Sequence, residues 1–152
     1  MNQLFILFLS SLGFINAQVY DGYTLFTPMS AFDDSATTYL MNNDYEFLNT
    51  WTHDQGPASM PYLLTDGSII YPYRVPFPAM SSGGVGGGIQ KQSWEGEILW
   101  EYEFANEQYQ HHHDVEPLPN GNILIIVWEK KTAQEAYDMG RETIDNPLNV
   151  MW

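Results

Sequence analysis

The sequence predicts an all-β protein: a partial β-propeller of about two four-stranded antiparallel blades, starting and ending mid-blade, with one short inserted helix. Three observations carry this expectation. Strand-like runs alternate with tight-turn signals in four successive hairpins. Two kinds of hairpin recur in the same alternation, at a spacing of about 50 residues that matches one propeller blade. Aromatic residues make up 15% of the chain, spread through the strand-like runs, where Tyr and Trp suit a pleated, half-buried surface.

Residues 18–36 read as an extended lead-in carrying Tyr20, Tyr23, Leu25 and Phe26 before Pro28, and Asp33-Asp34-Ser35 as a turn. Residues 37–152 form the propeller portion. Thr37–Met41 and Tyr45–Trp51 are expected as strands around Asn42-Asn43-Asp44, followed by a connecting loop from His53 to Ser59. Met60–Leu64 and Ser68–Tyr73 flank Thr65-Asp66-Gly67, and Val75–Gly88 is a Pro- and Gly-rich loop. Ile89–Ser93 and Glu97–Phe104 flank Trp94-Glu95-Gly96. His112–Leu118 and Asn122–Trp128 flank Pro119-Asn120-Gly121, where Asn-Gly tolerates the positive φ of a tight hairpin. Ile123 to Trp128 is apolar at every position, which predicts a strand buried on both faces. Between Lys130 and Arg141, Thr132 and Glu135 fit a capping box and Gly140 a helix stop, so a short helix is expected there. It either shapes a site beside the histidine hairpin or is a surface connection.

The repeat is explicit. Asn43–Trp51 aligns with Trp94–Tyr102 at an offset of 51 (94 − 43), and Asp66–Ile70 with Asn120–Leu124 at an offset of 54 (120 − 66). The first two strands of residues 37–152 match the second hairpin of a repeat and the last two match the first hairpin. Closing a propeller takes about four to eight blades. The expectation is therefore the N-terminal fragment of a longer propeller, or a chain that assembles with partners, including copies of itself.

Charge excludes some partners. With 5 basic and 19 acidic side chains, the formal net charge is −14. A nucleic-acid backbone needs a basic footprint, which is absent, and anionic membrane surfaces are disfavoured for the same reason. There is no cysteine, so disulfides and thiolate metal sites are excluded. Residues 1–17 have a short apolar core from Leu4 and a small-residue end at Ile15-Asn16-Ala17. That pattern predicts a secretory signal peptide cleaved before Gln18, hence a periplasmic or secreted protein. No other run is long and apolar enough to span a membrane.

Three of the four histidines, His111, His112 and His113, precede Asp114. Neutral imidazole is a competent nucleophile, and imidazolium can stabilise developing negative charge. In a regular strand His111 and His113 point one way and His112 the other. His111 and His113 with Asp114 or Glu129 could also hold Zn²⁺ or Cu²⁺, although three adjacent histidines seldom supply a closed ligand set unaided. The bland reading of each histidine is a hydrogen bond to backbone at the start of the strand. The Gly83–Gly88 loop could cradle an anion with its N–H groups. It reads first as a flexible connection between hairpins.

An ordered set of segments resembles the arylsulfotransferase family, the PAPS-independent aryl-sulfate sulfotransferases and their relatives. The segments are Thr38-Tyr39-Leu40 with the strand to Trp51, Pro61–Ser68, Gly83–Gly88, Trp94–Tyr102, His112-His113-Asp114-Val115-Glu116-Pro117-Leu118-Pro119-Asn120-Gly121-Asn122, and Trp128-Glu129 to Gly140-Arg141. The match runs through nearly all of the mature chain. It implies a six-bladed propeller with its site on the central axis, no cofactor, and transfer of a sulfuryl group from a phenolic sulfate ester to a phenol through a sulfated histidine. Carried over, His112, His113 and Asp114 are the catalytic candidates, with Asp114 orienting its neighbour. His111, Glu129 and Arg141 are the substrate-binding candidates. Arg141, among Arg74, Lys91, Lys130, Lys131 and itself, is the cation best placed in sequence to clamp a sulfate bidentately. The chain departs from the family in lacking the later blade expected to carry the covalent histidine, and in having no separate domain before the propeller. It is therefore expected to be an incomplete and inactive part. The alternatives are a secreted, non-catalytic propeller binding glycan or protein through an aromatic rim, and a metal-binding module.

Overall fold

The computed structural model describes residues 20–29, 35–81, 83–144 and 150–151; the expected signal peptide and most of the Asp33-Asp34-Ser35 turn lie outside them. The chain folds as three antiparallel sheets and one short helix. The first sheet is β1 (Tyr23–Phe26), β2 (Ala36–Asn42) and β3 (Phe47–His53) in that order. The middle sheet is a four-stranded meander of β4 (Tyr62–Leu63), β5 (Ile69–Arg74), β6 (Gly87–Gln92) and β7 (Ile98–Glu103). In the last sheet, β9 (Ile123–Lys131) lies between β8 (Tyr109–Pro117) and β10 (Val150–Met151). Helix α1 (Ala133–Asp138) follows β9 and carries the expected capping box: Thr132 Oγ1 accepts from the Glu135 N–H, and the Glu135 carboxylate accepts from the Thr132 N–H.

The hairpin repeat survives at the level of single hydrogen bonds. At the β4–β5 turn the Leu64 N–H donates to Ser68, the Gly67 N–H to Leu64, and Asp66 Oδ1 accepts from the Ser68 N–H. Fifty-four residues on, Leu118, Asn122, Gly121 and Asn120 make the same three bonds, and both glycines have positive φ, +82° and +85°. The β2–β3 and β6–β7 turns match at the offset of 51. Asn42 and Ser93 each donate the backbone N–H to the carbonyl four residues on, each accepts that residue's N–H on the side chain, and each follows a register shift, at Leu40/Met41 and Lys91/Gln92.

Alternation along β5 places the middle sheet between its neighbours. Ile69 packs with Leu40 and Trp51 of the first sheet, and Trp51 donates its indole N–H to the Ser93 carbonyl at 2.8 Å. Ile70, one residue on and facing the other way, packs with Ile89 and with Val115, Ile123 and Ile125 of the last sheet. Each seam is thus an apolar face of β5 pressed on the sheet before or after it.

Three expectations need correction. β9 is not buried on both faces: one face of the strand meets the middle sheet, while the other is in contact at Trp128 and leaves Leu124 and Ile126 each 57% exposed. His53 does not open a loop. It ends β3, only 4% exposed, and its ring stacks on Tyr71 at 3.5 Å between centroids. The lead-in contributes a paired strand, β1, to the first sheet.

Candidate functional site

The site grows from an irregularity in the β8–β9 ladder. Its register runs from His111 opposite Val127 to Val115 opposite Ile125. β8 therefore advances four residues while β9 advances two, and His112, His113 and Asp114 fill a bulge opposite Ile126. A bulge re-aims side chains that a regular pleat would alternate. The expected parity, with His111 and His113 sharing a face, is accordingly overturned: the adjacent rings of His112 and His113 lie together, centroids 4.3 Å apart at 59°, in contact through their Nδ1 atoms.

His111 is fully buried and held by backbone. Its Nδ1 accepts from the Gly87 N–H at 3.3 Å, so the proton sits on Nε2, which donates to the Asp114 carbonyl at 3.1 Å. Its own N–H donates to the Phe104 carbonyl at 2.7 Å. Burial pushes its pKa down, and the bond to Asp114 opposes that only in part. His111 is thus a neutral pin between the last and middle sheets with both ring nitrogens engaged. That is the bland reading offered for each histidine, realised in this one.

His112 and His113 form the second group of the bulge, a pair of imidazoles in contact. Where the two Nδ1 atoms meet, one imidazole must carry the proton and the other accept it. The His112 ring also packs on Trp128 at 4.6 Å. Partial burial lowers the His112 pKa, and charge on His113 lowers it further. His112 therefore favours its neutral form.

The glycine-rich loop is a cover for these rings. A Cβ on Gly84 would run into the His112 ring and stand 2.7 Å from His113 Nδ1; one on Gly86 would stand 2.7 Å from His111 Nδ1. Gly83 has φ +76°, and the Gly84 carbonyl accepts from Trp128 Nε1 at 3.4 Å. Glycine is needed because backbone lies directly on imidazole. Buried Gln110 fastens the loop: its amide oxygen accepts from the Met80 N–H at 2.9 Å and its amide nitrogen donates to the Met80 carbonyl at 2.6 Å. The expectation of a loose connection between hairpins gives way to a glycine lid tied down at Met80.

The Asp114 carboxylate turns to residues the sequence reading did not single out. Its Oδ1 accepts from Ser59 Oγ at 3.0 Å and from the Tyr62 hydroxyl at 3.3 Å. Burial raises the Tyr62 pKa, with the Asp114 charge adding to it, so the phenol stays protonated. These partners lie 55 and 52 residues upstream and leave no local signature. Asp114 reaches His111 through its carbonyl, while its side chain holds the Ser59–Tyr62 segment beside the pair.

Two candidates stand apart. Trp128 faces His112, so strand alternation turns Glu129 to the opposite face. There Glu129 accepts from Tyr109 at 3.1 Å and pairs with Lys131 at 2.5 Å, and that pairing depresses its pKa. Arg141 is exposed past the end of α1, and its Nε donates to the Thr143 carbonyl at 3.1 Å. The alternative metal set does not assemble either. His111 has spent both nitrogens on backbone, Glu129 faces away, and among the described residues no three His, Asp or Glu side chains group to hold an ion. No family model matches the chain, and neither a curated protein nor a solved structure matches it significantly.

Proposed function

We propose that this chain is part of an arylsulfotransferase-like β-propeller. In the complete protein it would move a sulfuryl group from a phenolic sulfate ester to a phenol by way of histidine. Alone, it is an incomplete and inactive portion of the ring. The observation that carries the reading is the coupled His112–His113 pair, raised on a bulge of β8, laid against Trp128 and covered by Gly83–Gly86. The bond-for-bond repeat of both hairpin turns and the consecutive meander β4–β7 support blades of one ring. The apolar segment 1–17 supports export to the periplasm or beyond.

The chemistry assigns these residues proton traffic. A histidine nitrogen from a later blade forms the N–S bond as the ester S–O bond breaks, and the bond pair leaves on the phenolate oxygen. The His112–His113 couple, holding one proton more than neutral, donates it to that oxygen. In the second half the acceptor phenol returns a proton to the couple as its oxygen takes the sulfuryl group and the N–S bond breaks. Asp114, bound to Ser59 and Tyr62, sets the position of the bulge. The phenolic ester and the phenol are the partners this chemistry implies, and neither nucleic acid nor an anionic membrane suits a chain at −14.

The test is release of nitrophenol from its sulfate ester, with a phenol acceptor, by the complete protein. His113→Ala and His112→Ala should each lower kcat by about 100-fold or more, the usual scale of a lost general acid–base group. Full activity in both variants removes the pair from the mechanism. One observation favours a second reading: Phe26, Tyr39 and half-exposed Phe47 stack in a ladder on the first sheet, at 5.4 and 5.0 Å between centroids. Such a rim suits a glycan, and tight glycan binding with no turnover would favour the non-catalytic propeller.

A further inference from the structure

Arg74 ends β5, and the histidine site makes no use of it. Its surroundings are unusual in a chain at −14. Lys91 and Lys131 each hold a carboxylate, at 3.2 Å from Asp66 and 2.5 Å from Glu129. Half-buried Arg74 holds none among the described residues. Its Nη2 meets the Met29 thioether, a weak acceptor, at 3.7 Å, and its Nε is shielded from water with no partner. The Arg74 N–H donates to the Gly56 carbonyl at 3.0 Å, and next to Gly56 the Gln55 Oε1 is likewise shielded and unpartnered. An unspent donor and an unspent acceptor thus come from hydrogen-bonded neighbouring backbone. Buried polar groups left in this way are uncommon and costly.

A cavity of about 330 Å³ opens beside them. Among the described residues it is lined by Pro28, Met29, Thr37, Tyr39 and Pro57 with their neighbours. Met29 is the residue that Arg74 touches, Pro57 stands two residues from Gln55, and Tyr39 is the middle ring of the stack with Phe26 and Phe47. The size lies at the small end of ligand pockets, which run from about 300 to 1,000 Å³, and it admits one ring with its substituent. An aromatic, two prolines and a thioether suit the faces of a ring, and the guanidinium at the edge suits an anion.

We infer that this pocket binds a small ring compound carrying one anionic group, a carboxylate or a sulfate ester, with Arg74 turning from Met29 to clamp the anion through its planar fork. A chain this acidic repels anions at long range, so a site for one needs a cation not already neutralised by a carboxylate. The pocket lies at the first sheet and the histidine pair on β8, so the inference stands apart from the sulfuryl-transfer reading.

The test titrates nitrophenyl sulfate and nitrobenzoate into the 152-residue chain by calorimetry, with the Met29 methyl resonance as a second readout. At least one probe should bind saturably and move that resonance, and the tighter of the two identifies the anion. Arg74→Gln should weaken the binding by about tenfold or more, and Arg74→Lys should recover only part, because an ammonium keeps the charge and loses the fork. Ala36→Phe, which fills the pocket and leaves Arg74 in place, should weaken it as well. Absence of saturable binding by either probe overturns the inference, as does equal binding by the natural chain and Arg74→Gln. Inorganic sulfate binding as tightly as nitrophenyl sulfate also overturns it, because the ring then contributes nothing. Binding that survives Arg74→Gln and disappears in His113→Ala puts the anion at the imidazole pair, which sinks the pocket and supports the sulfuryl-transfer reading.

Discussion

Two seams join the three sheets, and each buries a histidine. At the first, His53 Nε2 lies 2.8 Å from Thr38 Oγ1, its Nδ1 lies 3.2 Å from Gln92 Nε2, and its ring stacks on Tyr71. Polar contacts run on from Thr38 to Thr27 and from Gln92 through Gln90 to Glu101, so the histidine is the buried middle link of a chain that reaches half-buried Thr27 at one end and exposed Glu101 at the other. At the second, His111 is pinned just as completely, but to backbone, and the strand then bulges. That bulge supplies the two further imidazoles, which meet each other, Trp128 and a strip of glycine backbone among the described residues. A buried histidine at a seam is therefore structural in both places. What sets the second seam apart is the extra residues of the bulge and the side-chain-free loop above them.

The largest effect separates the two seams by stability. His53→Leu removes one partner each of Thr38 and Gln92, which keep their bonds to Thr27 and to Gln90. Two lost buried hydrogen bonds at about 1 kcal/mol each, with the lost stack at about 1 kcal/mol, give an expected loss of about 3 kcal/mol in a urea titration. His113→Leu should cost far less, since no buried partner outside the pair depends on it. Equal losses would mean that the bulge histidines are as structural as His53.

Acidification sharpens the same contrast. Burial lowers the His53 pKa to about 4 from 6.5. The unfolded chain therefore takes up this proton first as pH falls. The His53 contribution is fully present above pH 6.5, declines between 6.5 and 4, and is gone below that window. At about 1.4 kcal/mol per unit, the ceiling is about 3 kcal/mol. Stability measured from pH 7 to pH 4 should fall by that order in the natural chain, and the His53→Leu variant should lose about that much less over the same range. A variant with an unchanged slope would show that other groups carry the acid response.

The all-β class, the hairpins and the short helix were legible because their signals are local. Asp66-Gly67, Asn120-Gly121 and Glu95-Gly96 announce turns that the structure contains, and the spacing between them is the repeat itself. Thr132 and Glu135 announce the capping box. The histidine site was legible only as composition. Its geometry depends on a bulge, which no neighbouring residue marks, and on Ser59, Tyr62, Gly84 and Gln110, which reach it across long stretches of chain. The apolar run of β9 misled for a related reason: its composition is that of a strand covered on both sides, yet Leu124 and Ile126 are more than half exposed.

The glycine lid permits a smaller test against glycines that serve only turns. Gly84→Ala drives a methyl into the pair, whereas Gly121→Ala meets nothing within 4 Å and bears only the strain of φ +85°. The expected costs are about 2 kcal/mol for Gly84→Ala, by overpacking, and about 1 kcal/mol for Gly121→Ala. Only Gly84→Ala should move the imidazole nitrogen resonances of His112 and His113. If both variants leave those resonances in place, the loop does not rest on the rings.

The smallest effect concerns the repeat. Gly96 sits at φ +88° in the β6–β7 turn, and its counterpart 51 residues earlier is Tyr45, at φ +65° in the β2–β3 turn. A tyrosine in the left-handed region carries a Cβ penalty that glycine does not. Tyr45 is 80% exposed, so little packing is lost on its removal. Tyr45→Gly relieves the strain but gives the unfolded chain more freedom, and the two terms oppose. The relief of about 1–2 kcal/mol should prevail, leaving a net gain of about 0.5–1 kcal/mol, read as a rise of a few degrees in Tm. Gly96→Tyr, the reverse exchange at the matching turn, should lower Tm. Opposite signs would show that the two turns are one device used twice. A fall in both variants would mean that the Tyr45 ring has a role beyond its backbone.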